Sequence, residues 1–313
     1  MNDVTLRQME YLIAVLDHGS VSAGAAAAHV SQATVSASLA QLEKSLGTVL
    51  LARGPARRAR PTSAGEEFAA RARTILAAVD DAVDSVDDSS SELRGPLSVG
   101  CLHTASPRVL PGLVEHFEKR WPRVILELVE EAPRRLQDLV ATGRLDVAML
   151  YSRQLERQEL ISHQLGGVRL HALLSADSPL ARQDVVSLND LVALPAILLD
   201  IPPTAELLLE RIHAHGLEVD VRWRSSSAET IRALVARGLG FSLVNAIPHP
   251  SVRSFEGLEV VYRPVADEVD NPAIAVTIPH RARSRRVAEA IRVLRRTHEQ
   301  SDPDRWPTDH PLR

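Results

Sequence analysis

Gln32, Thr34 and Ser36 open an apolar-striped segment, and Arg53, Arg57, Arg58 and Arg60 follow it in a loop punctuated by Gly54 and Pro55. Amide and hydroxyl side chains can exchange hydrogen bonds with base edges, while guanidinium groups lay paired N–H donors along phosphate oxygens. Together they are the chemistry of a duplex-DNA reader. Ala33 and Ala37 share the face of Gln32, and a methyl group can touch only a thymine methyl. Base discrimination is therefore expected to rest on Gln32, Ser36 and DNA shape, with the arginines supplying sequence-independent affinity.

These side chains need two helices and a wing. Ser20 to Ala28, a break at His29-Val30, and a second run from Ser31 read as two helices meeting at a tight turn, a helix-turn-helix. Val35, Leu39, Leu42 and Leu46 fall at i, i+4, i+7 and i+11 and form one inward stripe, with Ser31 as N-cap. An alanine-rich helical hairpin would show the same stripe; charge favours the DNA reading. Through residue 60 the chain carries Arg7, Lys44, Arg53, Arg57, Arg58 and Arg60 against Asp3, Glu10, Asp17 and Glu43, a net of +2, whereas the whole chain is −4. Positive charge is concentrated at the N-terminal tip.

This stretch resembles the LysR-type transcriptional regulators. The likeness runs in order through Leu6–Leu16, Gly19-Ser20-Val21, Ala25-Ala26, Val30-Ser31-Gln32, Val35-Ser36, Leu42-Glu43, Leu46-Gly47, Leu50, Arg53 and Thr62-Ser63-Ala64-Gly65. It implies that Gln32, Thr34 and Ser36 contact DNA bases and Arg53 its backbone. Two departures stand out: Ala37 and Ala40 replace the family's common basic residues, and Leu51 its usual phenylalanine.

Ser63 to Ser89 reads as one long helix in which Phe68, Ala72, Ile75, Val79, Ala82 and Val86 recur at heptad spacing. An amphipathic helix packed on its own domain is the alternative, but so narrow a stripe on a charged helix is expected to meet an identical partner. The family likeness makes it a linker pairing two subunits. Asp80, Asp81, Asp84, Asp87 and Asp88 form a solvated acidic face.

Beyond Ser89-Ser90-Ser91 and Gly95-Pro96, short apolar runs alternate with helical ones, which is α/β. Strands are read at Leu97–Cys101, Val124–Val129, Leu145–Leu150, Arg169–Leu174, Ala196–Leu199, Glu218–Trp223, Phe241–Val244, Leu258–Tyr262 and Ile274–Ile278. Ser106-Pro107, Pro133, Thr204 and a Ser226/Glu229 capping box start the helices between them. So long a stretch calls for two subdomains.

The fold class expected is thus α+β multidomain: a winged helix-turn-helix over 1–61, a dimerising linker helix over 62–91, and an effector-binding domain over 95–298 resembling a two-lobed periplasmic binding protein. Lobe I takes about 95–162 plus 266–298, lobe II about 163–265, with crossings near Ser162 and Val265. A flexible tail is read over 299–313.

In such folds a ligand sits beyond the carboxyl ends of the strands, where helix N-termini favour an anion. His103, Thr104, Glu131, Asp200, Thr204 and Ser226 occupy those ends. The family likeness points to Thr104, Thr204 and Ser226 as effector contacts; Ser106, Thr204 and Ser226 could equally be helix caps. Glu131 would repel a purely acidic ligand. It admits an amino-acid-like effector whose ammonium meets Glu131 or Asp200, beside the organic acid that the helix ends suggest.

The partners expected are double-stranded promoter DNA, a small-molecule effector, a second copy giving a dimer and by family likeness a tetramer, and RNA polymerase. No cofactor, metal site or membrane contact is expected. His213 and His215 face different sides of one helix, Gly238-Leu239-Gly240 is a helix stop, and neither a phosphate-binding loop nor a nucleophile elbow occurs. Cys101 is the single cysteine, so an intramolecular disulfide is impossible. With no export signal or spanning apolar run, a cytoplasmic location is expected. An enzyme on the same lobes, or an architectural DNA-binding protein without an effector, are the alternatives.

Alanine at both Arg57 and Arg58 is expected to flatten the salt dependence of DNA binding and leave the preferred site unchanged. Binding isotherms over a range of salt check this; a changed site with an unchanged slope contradicts it.

Overall fold

The computed structural model describes residues 3–53, 59–86, 92–244, 253–266 and 271–300, without the side chains of Arg53, Asp81, Asp84, Ser85, Val86 and Gln300. Arg57, Arg58, the Ser89-Ser90-Ser91 run and the tail from Ser301 lie outside the described residues.

The N-terminal head comprises α1 (Leu6–Asp17), α2 (Val21–Ala27), α3 (Gln32–Leu46) and a wing of β1 (Leu51–Arg53) paired antiparallel with β2 (Ala59–Pro61). Side chains define its helix starts. Thr5 and Gln8 form a reciprocal capping box on α1, Ser20 accepts from Ala23 N at 3.1 Å, and Ser31 accepts from Thr34 N at 3.1 Å. Leu12, Val15, Val35 and Leu42 are fully buried between the three helices.

From the wing the chain enters α4 (Ser63–Val86). Thr62 Oγ1 donates to Val49 O at 2.7 Å and accepts from Gly65 N at 3.0 Å. A Cβ on Gly65 would stand 2.0 Å from Leu50 O, so only glycine lets the helix start this close to the wing.

Lobe I is built from β3 (Arg94–Leu102), α5 (Ser106–Arg120), β4 (Arg123–Glu131), α6 (Pro133–Ala141), β5 (Val147–Tyr151) and β6 (Ile161–Gly166). Lobe II follows with β7 (His171–Ser175), α7 (Leu188–Leu191), β8 (Ala196–Leu199), α8 (Thr204–Ala214), β9 (Val221–Ser225), α9 (Ala228–Ala236), β10 (Ser242–Val244) and β11 (Val260–Pro264). The chain then returns to lobe I as β12 (Ala273–Thr277) and α10 (Arg285–Gln300).

The lobe I sheet has the order β4-β3-β5-β12-β6, its first three strands parallel and the rest antiparallel. Lobe II repeats the pattern. β9 pairs parallel with β8, a parallel bridge joins Ala196 to Phe241 at the start of β10, and β10-β7-β11 pair antiparallel. In lobe I the antiparallel strand β12 arrives last in sequence, in lobe II its counterpart β7 arrives first, and that inversion makes the chain cross twice. Ile161–Gly166 is the edge strand of lobe I, paired with β12, so the first crossing follows Gly166 instead of Ser162. Its alternation of half-buried and exposed positions hid it among loop residues.

Helices α5 and α10 are locked together by one carboxylate. Glu289 accepts from Arg292 Nε at 2.9 Å and Trp121 Nε1 at 2.9 Å, and lies 2.7 Å from His116 Nε2. The Arg292 hydrogen bonds, helped by Trp121 and His116 against the opposing effect of burial, bring its pKa down from 4.5 to about 2. A depressed carboxylate stabilises the fold above its unfolded pKa and loses that contribution as pH falls. E289Q is therefore expected to lower stability by about 1.5–3 kcal/mol at neutral pH, with the gap to the native chain closing between pH 4.5 and about 2. Thermal unfolding across that range checks it; a gap independent of pH contradicts it.

Candidate functional site

On the head, packing decides which face of α3 is free. Val35, Leu39 and Leu42 turn inward, which leaves Gln32, Ala33, Thr34, Ser36 and Ala37 all exposed on one side of its first two turns. The Thr34 hydroxyl is tied to Ser31 Oγ at 2.8 Å, so it belongs partly to the cap. His29 takes a positive φ of 54° at the turn between α2 and α3. Arg60 is exposed on β2, Arg53 ends β1, and Glu43 Oε1 holds the entry to the wing by accepting from Leu50 N at 2.7 Å and Leu51 N at 3.1 Å.

The heptad positions of α4 divide between two environments. Ala72 is buried and Phe68 packs against the head's own core, whereas Ile75, Val79 and Ala82 face outward. Val83, outside the heptad reading, joins the exposed stripe at 57 % exposure, four residues after Val79. The exposed apolar stripe is therefore shifted toward the C-terminal half of α4; Val86's side chain lies outside the described residues.

Between the lobes lies a cavity of about 390 Å³. Of the six side chains read from sequence, His103, Thr104, Glu131, Thr204 and Ser226 line it. Asp200 does not; it stands outside in contact with Arg224 of β9 at 3.3 Å. Capping also differs from the sequence reading. The cap of α9 is Ser227, which accepts from Thr230 N at 3.2 Å, so Ser226 faces the cavity one residue earlier. Thr204 is no cap either: its Oγ1 accepts from Gln154 Nε2 of lobe I at 3.1 Å, a hydrogen bond across the cleft.

Helices α5, α6 and α8 begin at this cavity with Ala105, Ala132 and Pro203 as N-caps and no side-chain cap. Their first N–H groups lack the oxygen that Thr5, Ser20 and Ser31 provide in the head, and a helix start in that condition favours an anion. Ser106, read as a cap from sequence, instead donates to His103 O at 3.2 Å and to the Glu130 carboxylate.

Among the polar lining residues that escaped the sequence reading are Arg108, Tyr151, Gln154, Arg232, Ser242 and Tyr262. The Arg108 guanidinium makes no hydrogen bond or ion pair with the described residues, and Ser242 Oγ, on a residue 1 % exposed, has no hydrogen-bond partner among them. Both carried a faint signal. Arg108 is a cation in the first turn of a helix, against the dipole, and Ser242 interrupts the apolar run Phe241–Val244. Around these groups the walls are apolar, with Leu102, Leu173, Leu199, Ile231 and Leu243.

Cys101 lies at the end of β3, fully buried. Burial and the charge of Glu130 push its thiol up to about 12, with Arg108 opposing. Burial raises Tyr151 as well. Among the described residues no cluster of His, Cys, Asp and Glu could hold a metal ion, and no helix is long and apolar enough to cross a membrane.

Known proteins share both parts. Residues 6–66 match the model for the bacterial regulatory helix-turn-helix protein, lysR family, and residues 90–299 match that for the LysR substrate binding domain. The hydrogen peroxide-inducible genes activator of Pectobacterium carotovorum is 29% identical over 294 residues, covering 92% of this chain and 96% of the relative. The DNA-binding transcriptional dual regulator OxyR of Escherichia coli K12 is likewise 29% identical over 294 residues, covering 92% of this chain and 95% of the relative. Among solved structures, full-length OxyR of Pseudomonas aeruginosa, in a cysteine-to-aspartate variant, superposes with a TM-score of 0.75 at 25% identity, covering 94% of this chain and 97% of that one.

Proposed function

The chain belongs to the LysR family of DNA-binding transcriptional regulators, and on that premise we propose that a small organic anion, held between its two lobes, switches how its paired heads grip promoter DNA. The observation that carries this reading is the Arg108 guanidinium, unpaired among the described residues, in a cavity onto which three uncapped helices open. A carboxylate placed there gains a charge-assisted pair and orphan N–H donors at once, while its carbon body meets the apolar wall. His103, Thr104, Thr204 and Ser226 complete the contact set from both lobes, and Ser242 offers a buried hydroxyl from lobe II.

Glu131 favours one variant of this reading. Its carboxylate lines the same cavity and among the described residues meets only Ala132 N, at 3.4 Å, so an amino-acid-like effector could set its ammonium there. Asp200, engaged outside with Arg224, drops out of that role.

Gln32, Ala33, Thr34, Ser36 and Ala37 would enter the major groove, with Arg53, Arg57, Arg58 and Arg60 along the phosphates. The Ile75–Val79–Val83 stripe, with Ala82, would pair two subunits, and two such pairs would form a tetramer that RNA polymerase meets at a promoter in the cytoplasm. One of these relatives is named a hydrogen peroxide-inducible genes activator and the other OxyR; a thiol route does not suit this chain. Its one cysteine, Cys101, is buried and its thiol is held far above neutral pH, leaving almost no thiolate to oxidise.

A thermal-shift screen of small monocarboxylates and amino acids tests the reading, since a ligand bound only by the folded chain raises its melting temperature. R108Q is expected to weaken the active compound about 10- to 100-fold, as loss of a charged hydrogen bond predicts. E131Q should weaken an amino acid and tighten a plain acid. An active acid that binds R108Q and native protein equally contradicts the anion site, and E131Q binding every tested amine like the native chain contradicts the variant.

A further inference from the structure

Asp17 is the last residue of α1, where its carboxylate faces the negative end of the helix dipole. Two cations from two other parts of the chain offset that placement. Arg73 of α4 reaches its Oδ1 at 2.5 Å, and Arg144, from the turn after α6, reaches the same atom at 3.0 Å. The Arg73 side chain is only 12 % exposed. Gly143, at φ 66°, brings lobe I against α4: a Cβ there would stand 3.1 Å from Arg73 Cβ and 3.8 Å from Ala70 O. Head, linker helix and lobe I thus meet on one carboxylate.

The other end of α6 stands in the cleft, where Pro133 lines the cavity beside Glu131. At 1.5 Å per residue this helix is a rod roughly 13 Å long. Midway along it, Gln137 is buried and fully engaged. Its Nε2 donates to Pro133 O at 3.1 Å and Gln154 O at 2.9 Å, and its Oε1 accepts from Glu156 N at 2.8 Å and Arg157 N at 3.1 Å. Gln154 in turn donates to Thr204 of lobe II at 3.1 Å. Hydrogen bonds and one rigid helix therefore run without a gap from lobe II, through the cleft, to the base of the DNA-reading head.

We propose that α6 is the coupling rod of this protein: movement of lobe II against lobe I passes from Thr204 and Gln154 through Gln137 and α6 to Arg144, and resets the head through Asp17. Asp17, Gln137 and Arg144 are positioning residues for the head. The inference rests on the cleft being the effector site. Removing Arg144 leaves the Asp17–Arg73 pair intact, whereas removing Asp17 leaves a mostly buried guanidinium beside a second one, so the two deletions are expected to differ in size.

Hydrogen exchange on the full-length protein tests this without any effector. Amides of the segment Leu16–Ser20 should exchange about fivefold faster in R144Q and faster still in D17N, with β5 unchanged and R144K close to native. Q154A, at the far end, should speed exchange at Leu16–Ser20 in the native background and add nothing in the Q154A/R144Q double variant. Native protection at Leu16–Ser20 in both R144Q and D17N would overturn the latch. Q154A effects confined to the cleft, or simply additive with R144Q, would overturn transmission through α6. Failure of the effector reading would show separately, as a chain with this exchange pattern that no small anion stabilises.

Discussion

Parallel strands impose the constraint on which this molecule depends. A strand that must be followed by a parallel neighbour needs a crossover helix, and each such helix begins at the carboxyl edge of its sheet with unpaired N–H groups. Here β3, β4 and β8 deliver α5, α6 and α8 to one cleft, and none of the three carries a side-chain cap. Elsewhere the chain caps its helices with Thr5, Ser20, Ser31 and Ser187, and of the helices that start at the cleft only α9 is capped, by Ser227. The contrast sets the cleft apart as the place where donors are left for something other than the protein. Arg108 adds a full charge to those partial ones beside an apolar wall, a combination that suits the compact organic anion proposed as effector.

Two sheets with the same order of strands follow from a chain that crosses between them twice. Because β12 and α10 follow lobe II in the sequence, lobe I is completed only after the chain has visited lobe II, which is itself one continuous segment. The hinge is consequently a pair of strands' ends, and Asn271 braces it by accepting from Ser152 Oγ at 3.2 Å and Arg153 N at 3.0 Å. Closure between lobes is thus geometrically bound to the segment after β5, which also holds Gln154. A lobe movement that leaves α6 in place has to break the hydrogen bond from buried Gln154 to Thr204, which costs the desolvation of the groups it exposes.

Much of this was legible in the residues. The inward stripe of α3, the cap at Ser31 and the alternation of strands and helices follow from periodicity and from punctuation by serine, proline and glycine, and five of the six cleft positions from the strand ends and the family likeness. What was not legible depends on contacts distant in sequence. β6 reads as loop because only its pairing with β12 makes it a strand. Phe68 keeps heptad spacing, yet faces inward because the head packs on that end of α4, and Ala72 is buried as well. Asp200 has the right type and the right place in sequence, but Arg224 one strand away claims it. Gln137 and Gln154 look like ordinary polar residues until four backbone groups and Thr204 are seen to converge on them.

The central claim is that occupancy of the cleft changes how the heads sit on DNA. Its most direct test is a footprint of the full-length chain on its promoter, with and without a saturating concentration of the acid that stabilises it. The account predicts that the boundary of protection shifts while the core recognition site stays protected. Identical footprints in the two conditions would contradict it.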